Sequence, residues 1–149
     1  VRVRARGLGD VCKRRPTEAS VGIDNRTCAI RVVPGSEASH RMEFRIGAAD
    51  ANPYLVLSAV IASGLWGIEN KINPEELVEG NAYDKTFSDA LMLPATLWDA
   101  AQRLKVSSMA RERFGDAFVE HYAATREWEE REYRKHISQW EMERYFEII

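Results

Sequence analysis

The chain has 149 residues, 45% of them apolar and 30% charged, with a formal charge of −2 at pH 7, a size and balance that fit one globular domain. So small a net charge excludes a global pull toward nucleic acid or an anionic membrane. Two cysteines, Cys12 and Cys28, are too few for a disulfide framework and lack metal-site spacing, so reduced thiols in the cytoplasm are expected.

The charge is unevenly spread. Arg2, Arg4, Arg6, Lys13, Arg14 and Arg15 stand against Asp10 alone in residues 1–15, a local +5 that leaves −7 for the remainder. With no interleaved aromatics and no recognised motif, this stretch does not suggest a nucleic-acid site. The chain starts at Val1 instead of Met, as expected of a processed product or a piece of a longer protein. Residues 1–5 alternate Arg with Val and Ala, which predicts a short edge strand, and 7–16 read as a polar loop.

Residues 27–33 combine β-branched and small side chains, and 41–46 alternate fully. Arg41, Glu43 and Arg45 share one strand face, while Met42, Phe44 and Ile46 share the other, which is expected to lie on a core. Between the two runs, 34–40 form a turn opened by Pro34-Gly35, predicting an antiparallel hairpin. Arg26 and Arg31 are five apart and cannot share a face of one regular strand. Either Arg26 sits in the loop leading into the strand or a bulge intervenes; the loop is the simpler reading.

Asn52-Pro53 pairs an N-cap side chain with proline at the first helical position, predicting a helix to about Asn70. Apolar almost all round, it is expected to be a buried central helix, with Gly64 and Gly67 admitting a close neighbour. Its apolar stretch falls short of the roughly 20 residues a bilayer needs, so no membrane span is expected. Residues 71–94 lack periodicity, and Asn73-Pro74, Gly80-Asn81 and Pro94 mark an irregular excursion with short helical turns. Helix resumes over 97–105, with a short turn after Ser107 and a long helix over about 116–144. Glu127–Arg131 and Glu130–Arg134 are i,i+4 pairs there, and 126–135 read as a solvated face. The fold class is α+β.

The hairpin carries the chemistry. Arg26, Arg31, Arg41 and Arg45 outnumber Glu43, so pairing leaves surplus positive charge. Cross-strand salt bridges of small net value are the structural alternative. Arginine forks, however, suit phosphate and carboxylate oxygens, and fixed cations suit charge developing in a transition state. A single carboxylate among them suits a divalent ion bridging to phosphate. The residues alone reach a partial phosphate-binding or phosphoryl-transfer site, and no substrate.

Three runs in order, Asn25-Arg26-Thr27-Cys28-Ala29-Ile30-Arg31, Arg41-Met42-Glu43-Phe44-Arg45 and Ala49-Asp50-Ala51-Asn52-Pro53-Tyr54-Leu55, resemble the C-terminal catalytic portion of glutamine synthetases. Leu93-Pro94, Phe114-Gly115 and Trp140-Glu141-Met142-Glu143-Arg144-Tyr145 resemble the end of the bacterial type. The resemblance covers 20–149; residues 1–19 form a basic segment that fits poorly. It implies an α+β catalytic domain whose strands wall the active site, in a cytoplasmic enzyme built as a large ring homo-oligomer. It also implies an ATP-dependent ligase that activates the glutamate γ-carboxylate as an acyl phosphate for attack by ammonia or an amine.

By motif, Glu43 resembles the carboxylate that holds Mg²⁺ or Mn²⁺. Arg26 and Arg31 match arginines at the transferred phosphate and ATP, Arg41 one on the nucleotide side, and Arg45 one that holds the γ-carboxyl of glutamate or its phosphate. The run from Gly47 through Leu57 looks more like relatives that ligate glutamate to polyamines or other amines, so ammonia and amine acceptors both stay open. A non-catalytic structural relative is a further alternative. Against it, a scaffold has no reason to keep uncompensated arginines around a metal carboxylate. The family's other metal carboxylates and its glutamate- and adenine-binding segments have no counterpart in these residues, so the chain alone is expected to be inactive.

Overall fold

Alternation at 41–46 requires a strand that faces two ways, and the computed structural model places one over Arg41–Phe44, leaving Arg45 and Ile46 beyond its end. The structure describes residues 16–48, 50–73, 76–146 and 148; the edge strand expected over 1–5, and the loop over 7–16 apart from Pro16, lie outside them. The chain divides into two units, Val1–Thr96 and Leu97–Ile149.

In the first unit, three strands pair in the order β1 (Val21–Ile23), β2 (Ile30–Val33) and β3 (Arg41–Phe44). The expected hairpin is β2–β3, antiparallel, with Arg31 opposite Glu43 and Val33 opposite Arg41. β1 was not foreseen. It runs parallel to β2, with Val21 beside Ile30 and Ile23 beside Val32. Parallel neighbours normally need a crossover of a dozen residues or more, whereas here residues 24–29 suffice. Asp24 permits the sharp exit by adopting a left-handed backbone, φ 49°, a conformation that Asp and Asn tolerate better than most residues. Arg26 therefore sits in a turn before β2, and no bulge is needed.

Beneath the turn, Cys28 and Ala29 are buried together with Ser20, and Cys28 is a free thiol. The excursion over 71–94 contains two short 3₁₀ turns, Ala82–Asp84 and Asp89–Leu91. It returns to the sheet region through Val78 N–H to Val21 O at 2.8 Å and an antiparallel bridge between Glu18 and Met92.

Helix α1 spans Pro53–Glu69, capped by Asn52, whose side chain accepts from the N–H groups of Tyr54 and Leu55. The expectation that it is packed on several sides fails. Ala62 is its buried residue, while Tyr54, Leu57, Ile61, Leu65 and Ile68 are exposed, and a methyl group at Gly64 or Gly67 would meet nothing within 4 Å. The hairpin's apolar back is also open, with Met42 65% and Phe44 43% exposed. An apolar pattern reports what a surface could bury, and the described residues do not supply the covering layer.

In the second unit, α2 (Leu97–Val106) and α3 (Ser108–Phe114) both pack on α4 (Asp116–Arg134), burying Leu97, Ala101, Ala110, Val119 and Ala123. The helix expected over 116–144 is two. Lys135 closes α4, and Ser138 opens α5 (Gln139–Tyr145) with a reciprocal capping box to Glu141, which satisfies two otherwise orphaned N–H groups and restarts the helix. The Glu130–Arg134 pair forms at 2.9 Å. Glu127 instead accepts from Gln102 Nε2 at 2.7 Å and Lys105 Nζ at 2.9 Å. Its side chain, 13% exposed, faces α2, so the charged stretch is not wholly a solvated face.

Candidate functional site

Register builds the site. Because Arg31 and Glu43 are direct cross-strand partners, their side chains emerge on the same face. Arg31 Nη1 lies 3.1 Å from Glu43 Oε2 and 3.3 Å from Oε1. The other edge of the same guanidinium grips Asp24, through Nε at 3.0 Å and through Nη2. Arg31, only 13% exposed, thus bridges two carboxylates. Arg41 Nη2 stands 3.5 Å from Glu43 Oε1, and its Nη1 is as far from the Ser39 carbonyl, too long for strong hydrogen bonds. The face stays open, since Arg41 is 59% exposed.

Asp24 is the residue that the sequence reasoning missed. It directly precedes Asn25-Arg26, and its charge seven positions before Arg31 was the available signal. Hydrogen bonding to Arg31, reinforced by the charge of that guanidinium, holds its carboxyl below the usual carboxylate range. The same contacts, Asp24 first and then Glu43, push Arg31 above its already high range. Asp24, Arg31, Glu43 and Arg41 therefore balance in charge, and the surplus rests on the remaining two arginines.

These two behave differently. Arg26 is exposed in the turn, and its guanidinium makes no hydrogen bond or ion pair among the described residues. Arg45, one residue past β3, turns to the main chain, where Nη1 donates to the carbonyls of Arg26 and, at 3.2 Å, Cys28. The structure so brings Arg31, Arg41 and Glu43 into one ion-pair chain, while Arg45 supports the turn that carries Arg26. Beside that turn lies an open groove of about 560 Å³ between 23–26 and 77–80.

Among the described residues no group of three or more His, Cys, Asp or Glu could hold a metal ion. Both Glu43 oxygens face the guanidinium groups of Arg31 and Arg41; Mg²⁺ in general needs only one or two carboxylates and completes its shell with phosphate and water. Among those residues, no helix is long and apolar enough to cross a membrane.

A family model described as glutamine synthetase, catalytic domain, matches residues 12–145. Glutamate–isopropylamine ligase from a Pseudomonas species is 44% identical over 131 residues, 88% of this chain and 28% of that protein. Type-1 glutamine synthetase 2 of Dictyostelium discoideum is 40% identical over 137 residues, 90% of this chain and 26% of that protein. The chain thus spans little more than a quarter of the length of these relatives. A solved structure of a GmaS/ADP complex superposes with a TM-score of 0.76 at 26% identity, covering 98% of this chain and 33% of that one. With the expected antiparallel hairpin in place and a family match over residues 12–145, the chain belongs to the glutamine synthetase catalytic-domain family.

Proposed function

We propose that this chain forms one wall of the active site of an ATP-dependent ligase that joins glutamate to ammonia or an amine. The observation that carries the reading is the open strand face on which Arg31 hydrogen-bonds Glu43 and Arg41 stands 3.5 Å from it, together with an exposed Arg26 whose guanidinium has no hydrogen-bond or ion-pair partner among the described residues. In the reaction, an oxygen of the glutamate γ-carboxylate attacks the terminal phosphorus of ATP, and ADP departs. The nitrogen of the acceptor then attacks the acyl carbon, phosphate leaves, and the nitrogen gives up a proton.

Each residue has a part in this. Arg26 reaches the transferred phosphoryl group, where a preplaced cation meets charge that develops as the bond to ADP breaks. Glu43 supplies one ligand to Mg²⁺ or Mn²⁺, which when bound offsets phosphate charge. Arg31 fixes Glu43 in place through its guanidinium, and Arg41, the more exposed of the pair, is free to turn toward nucleotide phosphates. Arg45 acts on the γ-carboxyl side through the turn that it supports. Other copies of the chain complete a ring homo-oligomer in the cytoplasm.

The 44% identity to an isopropylamine ligase favours an organic amine as the acceptor. The test supplies the whole protein with glutamate, ATP and Mg²⁺ and measures ADP release against ammonia, alkylamines, ethanolamine and diamines. Turnover that depends on glutamate and rises most with an alkylamine is expected. ADP release indifferent to glutamate would contradict the ligase reading, and a preference for ammonia would contradict the amine.

A further inference from the structure

We infer that Asn25 is a positioning residue for Arg26, acting through a clamp between the β1–β2 turn and segment 78–82; the inference rests on the proposed role of Arg26 at phosphate. Among the described residues nothing hydrogen-bonds to or pairs with the Arg26 guanidinium, so its backbone sets its aim. That backbone lies in a connection of six residues with no helix or long strand to stiffen it.

The clamp supplies the stiffness. Asn25 Nδ2 donates to the carbonyls of Val78 at 3.2 Å and Gly80 at 2.7 Å, more than 50 residues away in sequence. Its Oδ1 accepts from Thr27 N at 3.0 Å and from Thr27 Oγ1 at 2.6 Å. Thr27 Oγ1 in turn accepts from Ala82 N at 2.9 Å. Hydrogen bonds therefore run from Gly80 through Asn25 and Thr27 to Ala82, on either side of Arg26. Arg45 holds the same turn through the Arg26 and Cys28 carbonyls. Both ends of the Asn25 amide are used, so the site selects asparagine over its isostere. A carboxylate would set an anionic oxygen against two carbonyl oxygens where the amide sets two N–H donors.

The experiment is a double-mutant cycle in the whole protein. Asn25→Asp and, separately, Thr27→Val are measured for kcat, KM and thermal midpoint, each with Arg26 present and in an Arg26→Ala background. Displacing Arg26 by a fraction of an ångström to one ångström should lower kcat roughly 10- to 100-fold. In the Arg26→Ala background the same substitutions should cost about twofold or less, because coupled residues are non-additive. Thr27→Ser, which keeps the hydroxyl, should retain parental kcat. Equal losses in both backgrounds would overturn the inference and leave the clamp purely structural, as would an unchanged kcat in either single variant. If Arg26→Ala alone leaves kcat intact, the proposed role of Arg26 fails and the inference falls with it, an outcome distinct from equal losses. Thr27→Val decides the matter should Asn25→Asp not fold.

Discussion

Gly22→Ala probes the packing that holds the candidate site together. Gly22 is buried in the middle of β1. A methyl group there would lie 2.7 Å from Asn25 Cβ, 2.8 Å from Cys28 Sγ and 3.1 Å from the Val78 carbonyl oxygen. Carbon atoms rest about 3.5–4.0 Å apart, so the first contact overlaps by roughly 1 Å. Asn25 Cβ is fixed to the backbone and cannot rotate away, so the turn itself must move. Overpacking of this kind costs about 1–3 kcal/mol. The three rigid neighbours place this case at the upper end, offset by about 0.5–1 kcal/mol from the lost freedom of the unfolded glycine. A net loss of about 2 kcal/mol corresponds to a drop of roughly 4–8 °C in Tm for a chain of this size. Differential scanning calorimetry measures it, with Gly64→Ala as the control, since that methyl meets nothing and alanine should stabilise the helix by about 0.5–1 kcal/mol. Cys28→Ala added to Gly22→Ala should recover only part of the loss, because the Asn25 contact remains. A Gly22→Ala protein that melts at or above the parental temperature would refute the close-approach reasoning.

Ser138→Ala removes the capping box at the start of α5 and should weaken that helix by about 1 kcal/mol. Faster amide exchange over 139–145, with α4 unchanged, checks it. Hydrogen bonds from Lys105 and Gln102 hold the Glu127 carboxyl below its usual range. Its pKa is lower folded than unfolded, so the stability it contributes is complete above the unfolded value and is lost as pH falls through the folded one. Thermal unfolding across the acid range should therefore show a loss of stability below the ordinary carboxylate range, smaller in Lys105→Met. A Lys105→Met profile parallel to that of the parent would exclude this link.

Legibility followed the range of the physics involved. The strand from Arg41 and the cap at Asn52-Pro53 depend on period-two alternation and on one side chain beside its own helix, and both could be read locally, although the strand stops at Phe44. The split between α4 and α5 was equally local, and Ser138 with Glu141 three positions on carried its signal. β1 was not legible. Three residues are too short for a pattern, and the turn after it is stabilised by a segment some 50 positions away. Asp24 was invisible as a site residue because the left-handed turn brings it back to Arg31. Arg45 matched a motif at the γ-carboxyl, yet its hydrogen bonds to two carbonyls depend on how the turn folds over it. The all-round apolar character of α1 was read as burial; composition shows the capacity to be covered and cannot name the partner.

In the proposed ligase, Glu43 serves bound metal at an ATP site, with its arginine neighbours holding it there. Mg²⁺ titration of ligation by Glu43→Gln in the whole protein tests it most directly. Glu43 is a partly exposed member of an ion-pair chain, and such pairs contribute on the order of 0–1 kcal/mol, so the thermal midpoint should barely change. The Mg²⁺ requirement should shift to higher concentration and turnover should fall by roughly 100-fold or more. Parental kinetics at limiting Mg²⁺ would contradict it and remove Glu43 from the reacting centre.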